Sequence, residues 1–385
     1  MDKVKLGIIG YGSMGASHAK YIVEGEVPGC VLSCVFDNDP TKLEKAHSEL
    51  PAEVIIFDNY DELLSTCSCD AVLIATPHYF HPELAVKAFE SGRHVLCEKP
   101  AGVYTLQVES MNTAAKKSGK IFSMMFNQRT NPIYAKAKKM IDDGELGELK
   151  RSVWIITDWY RPQSYFNAGT WRATWKGEGG GVLLNQDPHQ LDLWQWICGM
   201  PTSINAFCYF GKYHDIEVED DVTAFAEYEN GATGVFITTT GEAPGTNRFE
   251  ISGDMGKLII ENDTLTFYKL EMSERQFNRE FKGGFGQPEF TVSKIETTGE
   301  KPAHKSITLN FINAILNNED LIAPGYEGIK SLTLSNAMLL SSWTGKRVEL
   351  PIDAELYKQF LDQKISNSTI IKENTNIILK TKGTY

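Results

Sequence analysis

The segment that most constrains how this chain folds lies within its first fifteen residues. Lys3 to Ile9 is a nearly continuous apolar run, closed by Gly10-Tyr11-Gly12-Ser13-Met14-Gly15. Such a run suits a parallel strand buried on both faces. The glycines that follow, and the helical pattern from Ser13 to Glu24, predict a strand, a tight turn and a helix. Gly10 permits the turn, Gly12 lets a ligand approach the backbone, and Gly15 lets helix and strand pack closely.

The pattern repeats over the first third of the chain. Strands are expected at 30–36, 53–57, 71–75, 94–97 and 121–126, with helices between them near 40–50, 60–66, 81–91 and 106–118. That alternation argues for an α/β fold with a doubly wound parallel sheet. After Asn127 the pattern changes. A helix over 131–143 and a long strand over 149–159 precede a polar, aromatic, glycine-rich loop over 160–181. A helix is then read over 183–197. Strands follow at 203–210, 222–228, 232–240, 248–252, 257–261 and 265–270 with no helices between them, which implies an antiparallel sheet. Helices over 307–317 and 328–344 either cover that sheet or return to the first domain. The expected division is 1–126 and 127–385.

A G-x-G-x-x-G turn after a strand and before a helix points to a dinucleotide, with its phosphates at the helix N-terminus. Asp37 ends the second strand, where a carboxylate accepts hydrogen bonds from ribose hydroxyls and repels a 2′-phosphate. No cation follows it directly, so NAD is favoured over NADP. Three further segments fall at C-terminal ends of expected strands, the edge at which open α/β sheets bind ligands. They are Ala75-Thr76-Pro77-His78 with His81, Cys97-Glu98-Lys99-Pro100, and Phe126-Asn127-Gln128-Arg129.

Charge and cysteine usage narrow the partners. The chain of 385 residues carries a formal net charge of -12, which repels a phosphate backbone and argues against nucleic acid. No apolar stretch approaches the ~20 residues of a membrane span, and the first residues lack signal-peptide character, so a cytoplasmic protein is expected. The seven cysteines are scattered. Cys67-Ser68-Cys69 lacks the two-residue spacer of zinc and redox motifs, so free thiols and no metal are expected.

These motifs together resemble the glucose–fructose oxidoreductase, inositol dehydrogenase and rhizopine-catabolism (Gfo/Idh/MocA) family. The resemblance rests on Gly10-x-Gly12-x-x-Gly15, Ala75-Thr76-Pro77 with His81, and Glu98-Lys99-Pro100. It continues through Gly144-Glu145-Leu146-Gly147, Gly179-Gly180-Gly181 and Asn185-Gln186-Asp187-Pro188-His189-Gln190-Leu191-Asp192. It implies an N-terminal Rossmann domain, then an α+β domain with a large, open, mainly antiparallel sheet that commonly mediates oligomers, here a homodimer or homotetramer. It also implies an NAD-dependent dehydrogenase in which Lys99 sits beside the nicotinamide and His189 faces it across the substrate. By the same resemblance Thr76, Pro77, His78, His81, Glu98 and Lys99 line the cofactor, beside the turn Gly10, Tyr11, Gly12, Ser13, Met14 and Gly15, with Asp37 and Asn127, that the motifs place there.

The chemistry fits those residue types. Oxidising a secondary alcohol requires a base for the hydroxyl proton, and histidine has a suitable pKa. A lysine places positive charge against the developing alkoxide. The inositol dehydrogenases carry aspartate four residues before this histidine, where this chain has Asn185. On a continuous helix that spacing puts both side chains on one face, so Asn185 is expected to orient the imidazole, and Asp192 is a candidate to stabilise its charged form. The departure favours sugars, glycosides or related polyols over inositol itself. Arg161, Trp171 and Arg172 are the expected substrate contacts in the preceding loop, with Lys99, Asn185 and His189 behind them. Trp194 and Trp196 are read as core. Two alternatives stay open. One is an enzyme that retains NAD and forms ketoglycosides or cleaves glycosides by transient oxidation. The other is a non-catalytic ligand sensor on the same fold.

Overall fold

A computed structural model describes residues 3–299, 301 and 303–370. The sequence leaves the order of the chain's end open, and residues 371–385 lie outside this described part.

The first domain runs β1 (Val4–Ile9), α1 (Ser13–Val23), β2 (Cys30–Phe36), α2 (Pro40–Glu49), β3 (Ile55–Phe57), α3 (Tyr60–Thr66), β4 (Ala71–Ile74), α4 (His81–Glu90), β5 (His94–Cys97), α5 (Thr105–Ser118) and β6 (Phe122–Met124). All pairings in this sheet are parallel, in the order β3-β2-β1-β4-β5-β6. The order reverses direction between β1 and β4, and β1, β4 and β5 are almost wholly buried. The continuous apolar runs in the sequence are thus the strands covered by helices on both faces. The C-terminal ends of β1 and β4 open a crevice at this switch point, where such sheets bind ligands.

The second part contains α6 (Pro132–Asp142), β7 (Leu149–Ile156), α7 (Gln163–Phe166), α8 (Val182–Asn185), α9 (Pro188–Cys198), β8 (Ser203–Phe210), β9 (Glu219–Glu227), β10 (Thr233–Thr239), β11 (Asn247–Gly253), β12 (Gly256–Glu261), β13 (Thr264–Leu270), α10 (Glu274–Glu280), β14 (Phe290–Ile295), α11 (His304–Asn317), α12 (Gly328–Thr344), β15 (Val348–Glu349) and α13 (Ala354–Ser366). Its nine strands lie in the order β14-β13-β12-β11-β7-β10-β9-β8-β15. The β7–β10 pair is parallel and the remaining pairs are antiparallel. One face is packed: Trp154 stacks on Phe249 at 4.1 Å between ring centres, and Trp194 donates from Nε1 to Ser152 Oγ at 2.9 Å. The alternate positions of β8 and β9 leave Phe207, Tyr209 and Phe225 exposed on the other face. That alternation is the signature of a sheet covered on one side.

Two helices tie the halves together. Ser123 and Met124 of β6 bond to the Ala323 carbonyl just before α12. Within α12, Asn336 donates to the Val103 carbonyl of the first domain, while Ser341 and Ser342 accept from Ala206 and Cys208 of β8. Helix α11 returns to the first domain, where Thr308 meets the Tyr21 hydroxyl at 2.8 Å.

Several expectations change. The helix read over 183–197 is two helices, α8 and α9, broken at Gln186 and Asp187. Pro188 lacks an N–H and disfavours helical geometry in the residue before it, so Asp187 flanks a new helix instead of continuing the old one. Although Leu356, Tyr357, Phe360, Leu361 and Ile365 give α13 a helical period, elements α10, β14, β15 and α13 are not among the expected ones. Edge strand β14 shows why, since it is exposed along nearly its whole length. The cysteines are free, but they are not all scattered. The Sγ atoms of Cys34, Cys67 and Cys69 lie within 4.8 Å of one another in the core of the first domain. Among the described residues no helix is long and apolar enough to cross a membrane.

Candidate active site

The glycine turn after β1 is built for close approach. Gly10 has φ +97°, and a Cβ there would meet the Ala75 carbonyl oxygen at 2.7 Å. A Cβ on Gly15 would strike the Gly10 oxygen at 1.9 Å, so helix and turn pack as tightly as the motif requires. At Gly12 a Cβ would meet nothing within 4 Å, which leaves open space beside the N-terminus of α1. Ser13 is exposed and Met14 half-buried at this mouth, and Tyr11 is buried with its hydroxyl toward Glu49. Asp37 sits at the end of β2, almost fully buried. It accepts from the backbone N–H of Tyr11 at 2.7 Å and of Asp39 at 3.0 Å. Lys42, five positions along the chain, brings its ammonium within 3.7 Å of the Asp37 carboxylate.

The opposite wall carries polar atoms without partners among the described residues. Thr76 Oγ1, His78 Nδ1 and both side-chain amide atoms of Asn127 are buried and unbonded. Buried polar groups are rarely left unpaired, so this row of orphans, the open glycine mouth and the Asp37 carboxylate fit a bound dinucleotide. Pro77 leads into a short turn that places His78 against His81 and Trp171. His81 and Glu98 are engaged within the protein. The two ring nitrogens of His81 each lie 2.7 Å from a carbonyl, of Thr76 and of Pro100, which pins the β4 and β5 loops together. Glu98 lies 2.8 Å from His18 Nε2 and 4.0 Å from His304 Nε2. Burial by itself would raise this carboxyl, but the His18 hydrogen bond and the charges of His18, His304 and Lys99 bring it down to about 2.

Lys99 projects from the end of β5 and donates to the Asn185 carbonyl at 3.0 Å. Burial lowers its pKa from the ordinary 10.5; Glu98 and Glu178 oppose that shift, while Arg172 and Arg161 add to it. His189 lies in the first turn of α9, buried, its ring 6.3 Å from that of Phe126. Neither ring nitrogen has a partner among the described residues. Burial, then the charges of Lys99 and His304, hold its pKa well below 6.5. The imidazole is therefore neutral near pH 7 and can accept a proton.

The helix break redistributes the other expected roles. The Asn185 side chain bonds to Glu178 and its carbonyl holds Lys99, so it braces the lysine and not the imidazole. Asp192 is committed elsewhere. It pairs with Arg129 through two 2.7 Å hydrogen bonds, in a buried network that includes Glu327. In the loop, Arg172 stacks over Trp171 and Tyr165 and donates to the Tyr165 hydroxyl, while Arg161 lies over Trp159 and Tyr165. Trp175 is a core anchor between Phe210 and Trp343. His18, Glu178 and His304 are the site residues that sequence reasoning missed. None stands in a motif. A histidine on the face of α1 that points at the end of β5 was the one available signal.

Comparison with known proteins gives the family of both parts of the chain. Residues 4–126 match the profile described as "Oxidoreductase family, NAD-binding Rossmann fold", and residues 134–259 match the "GFO/IDH/MocA C-terminal domain". The chain is 29% identical to the scyllo-inositol 2-dehydrogenase (NAD(+)) of Bacillus subtilis (strain 168), over 67% of this chain and 74% of that one. It is 26% identical to the levoglucosan dehydrogenase of Pseudarthrobacter phenanthrenivorans, over 72% and 79% of the two chains. Among solved structures, the WlbA dehydrogenase of Bordetella pertussis, in complex with NADH and UDP-GlcNAcA, superposes with a TM-score of 0.77 at 25% identity, covering 91% of this chain and all of that one.

Proposed function

Because the chain belongs to the GFO/IDH/MocA family of NAD-binding oxidoreductases, we propose that it oxidises a secondary alcohol of a sugar, glycoside or related polyol to the ketone, and reduces the ketone in reverse. Residues 1–126 hold the cofactor and 127–385 present the substrate. The observation that carries this reading is His189, a buried neutral imidazole with both nitrogens unbonded, coupled electrostatically to Lys99. NAD, when bound, supplies the hydride acceptor. His189 takes the hydroxyl proton as the carbinol C–H bond breaks, and returns it to the carbonyl oxygen in reduction. Lys99 sets its positive charge against the oxygen as negative charge develops there. Asn185 fixes the lysine through its carbonyl, and Glu178, which holds the Asn185 side chain, keeps that carbonyl in place. Gly10, Gly12 and Gly15 receive the pyrophosphate, and Asp37 the adenosine ribose. Thr76, His78 and Asn127 offer their unbonded polar atoms to the nicotinamide half. His81 and Glu98 shape that wall from behind.

The relatives' own activities, on inositol and on levoglucosan, support a polyhydroxylated ring as substrate. The exposed Phe207, Tyr209 and Phe225 on the open sheet support a homo-oligomer, since apolar side chains grouped on one face favour association. The test is a cofactor assay. Any dinucleotide bound to the purified protein is extracted, and NADH formation is then followed against sugars, glycosides and inositols. Steady NADH formation with one substrate class is the expected result. Sugar turnover without net NADH, with NAD retained on the protein, would replace this reading with internal redox recycling.

A further inference from the structure

The loop between β7 and α8 brings two cations to the mouth of the cleft. Arg161 and Arg172 lie on the same aromatic ring, with their guanidinium carbons 5.4 and 4.8 Å from the centre of Tyr165. The placement is braced by short links. Tyr165 accepts at its hydroxyl from Arg172 at 2.9 Å and from Gln186 at 3.1 Å. Gln186 follows Asn185, whose carbonyl holds Lys99. On the other side, Arg172 covers Trp171 at 4.5 Å, and that ring meets His78 of the cofactor wall at 5.2 Å. Both guanidinium groups are thereby fixed near Lys99.

Among the described residues they are fixed without a carboxylate at ion-pair distance. A guanidinium has five N–H donors. Arg172 spends one on the Tyr165 hydroxyl and Arg161 one on the Tyr160 carbonyl. Among the described residues neither reaches a carboxylate at ion-pair distance, whereas Arg129 and Arg248 each hold two. Glu178 and Asp158 are the acids in the neighbourhood. Glu178 accepts from the Ala173 N–H at 2.5 Å and from the Asn185 amide. Asp158 acts on Arg161 only at longer range. Stacking on an aromatic face leaves the N–H edge of a guanidinium free for a planar anion. Two such edges beside a lysine, in a chain of net charge -12, form a local cationic site within an otherwise repulsive field. Such a site concentrates anions where they are needed.

We infer that the substrate is an acidic sugar, bearing a carboxylate or a phosphate, and that Arg161 and Arg172 bind this anion while Lys99 and His189 face the carbinol. The inference rests on the function proposed above, and fixes its substrate class. Charge-assisted, bidentate contacts are the strong ones, so the anion would set affinity and orientation together.

The experiment uses the full chain saturated with NADH. Binding is measured by calorimetry for hexoses, their hexuronates and their phosphates, compared as matched pairs, and repeated with Arg161→Gln, Arg172→Gln and the double variant. At least one acidic member is expected to bind tenfold or more tighter than its neutral parent, with the advantage shrinking as salt is raised. In the double variant that ratio is expected to fall to about two or less, while NADH still binds as in wild type. A carboxylate is distinguished from a phosphate by which pair shows the ratio. If no acid binds more tightly than its neutral parent, or if the ratio survives in the double variant, the inference is wrong. NADH formation from a neutral sugar together with a flat ratio would overturn the acidic substrate alone. Absence of turnover with every CH–OH compound would overturn the proposed function instead.

Discussion

Replacing Asp187 with asparagine should stabilise the protein, and by more as the pH rises. Asp187 lies at the break between α8 and α9, and its carboxylate is buried with neither oxygen bonded among the described residues. Thr238 and Trp159 stand beside it and pull its pKa down, although neither reaches hydrogen-bond geometry. Burial, and the nearby charges of Asp158 and Glu219, push its pKa from 3.8 up to about 8. The native state therefore holds a proton that the unfolded chain releases. Stability from the neutral carboxyl is fully present below the unfolded pKa and is lost as pH rises toward the native one. The loss runs at about 1.4 kcal/mol per pH unit and reaches ~4 kcal/mol at pH 7. Asparagine keeps the size and neutrality but has no proton to lose. Urea unfolding of wild type and Asp187→Asn at pH 4, 5, 6, 7 and 8 measures the difference. The two should be nearly equal at pH 4 and diverge in favour of the variant up to pH 8. A difference that stays constant over that range, or a variant that is less stable at pH 8, refutes the assignment of a buried neutral carboxyl.

Four further outcomes are expected. Lys99→Ala and His189→Ala should each lose most turnover, by a factor of about 100 or more, with NAD affinity near wild type in a fluorescence titration. The kcat/KM for alcohol oxidation should hold as pH falls through 6.5, because burial favours the basic form of His189; an acid limb at or above 6.5 counts against that histidine as base. Asp37→Ala should shift the ratio of NAD to NADP activity toward NADP, since Lys42 would remain 3.7 Å from the vacated carboxylate position; an unchanged ratio removes Asp37 as the discriminator. Asp192→Ala should cost about 3 kcal/mol in denaturant unfolding, because the buried Arg129 guanidinium loses its bidentate carboxylate and keeps only Glu327.

The amino-acid sequence by itself determined what rests on local rules. The glycine turn at 10–15 requires backbone without side chains, and that requirement is written in the residues. Strands β2 and β8 and helices α3 and α12 run over the bounds their periodicity predicts. Their apolar spacing is the cause of their burial, so pattern and structure carry the same information. Lys99, His189 and Asp37 were legible as candidates, because each stands at the end of a readable strand or in a motif. Tertiary structure decided the rest. Asn185 and His189 share a spacing that suits one helix face, yet Pro188 splits the helix and sends Asn185 to Glu178 and Lys99. Asp192 stands three residues from the imidazole, yet its charge is claimed by Arg129, 63 positions away. His18 and Glu98 are 80 positions apart, and His304 joins them from a helix of the second half. Cys34 meets Cys67 and Cys69 only because β2 and β4 flank β1. In each case the partner is chosen by long-range packing, and the free energy of a buried charge or polar atom depends on which group the fold places beside it, a quantity that local spacing does not contain.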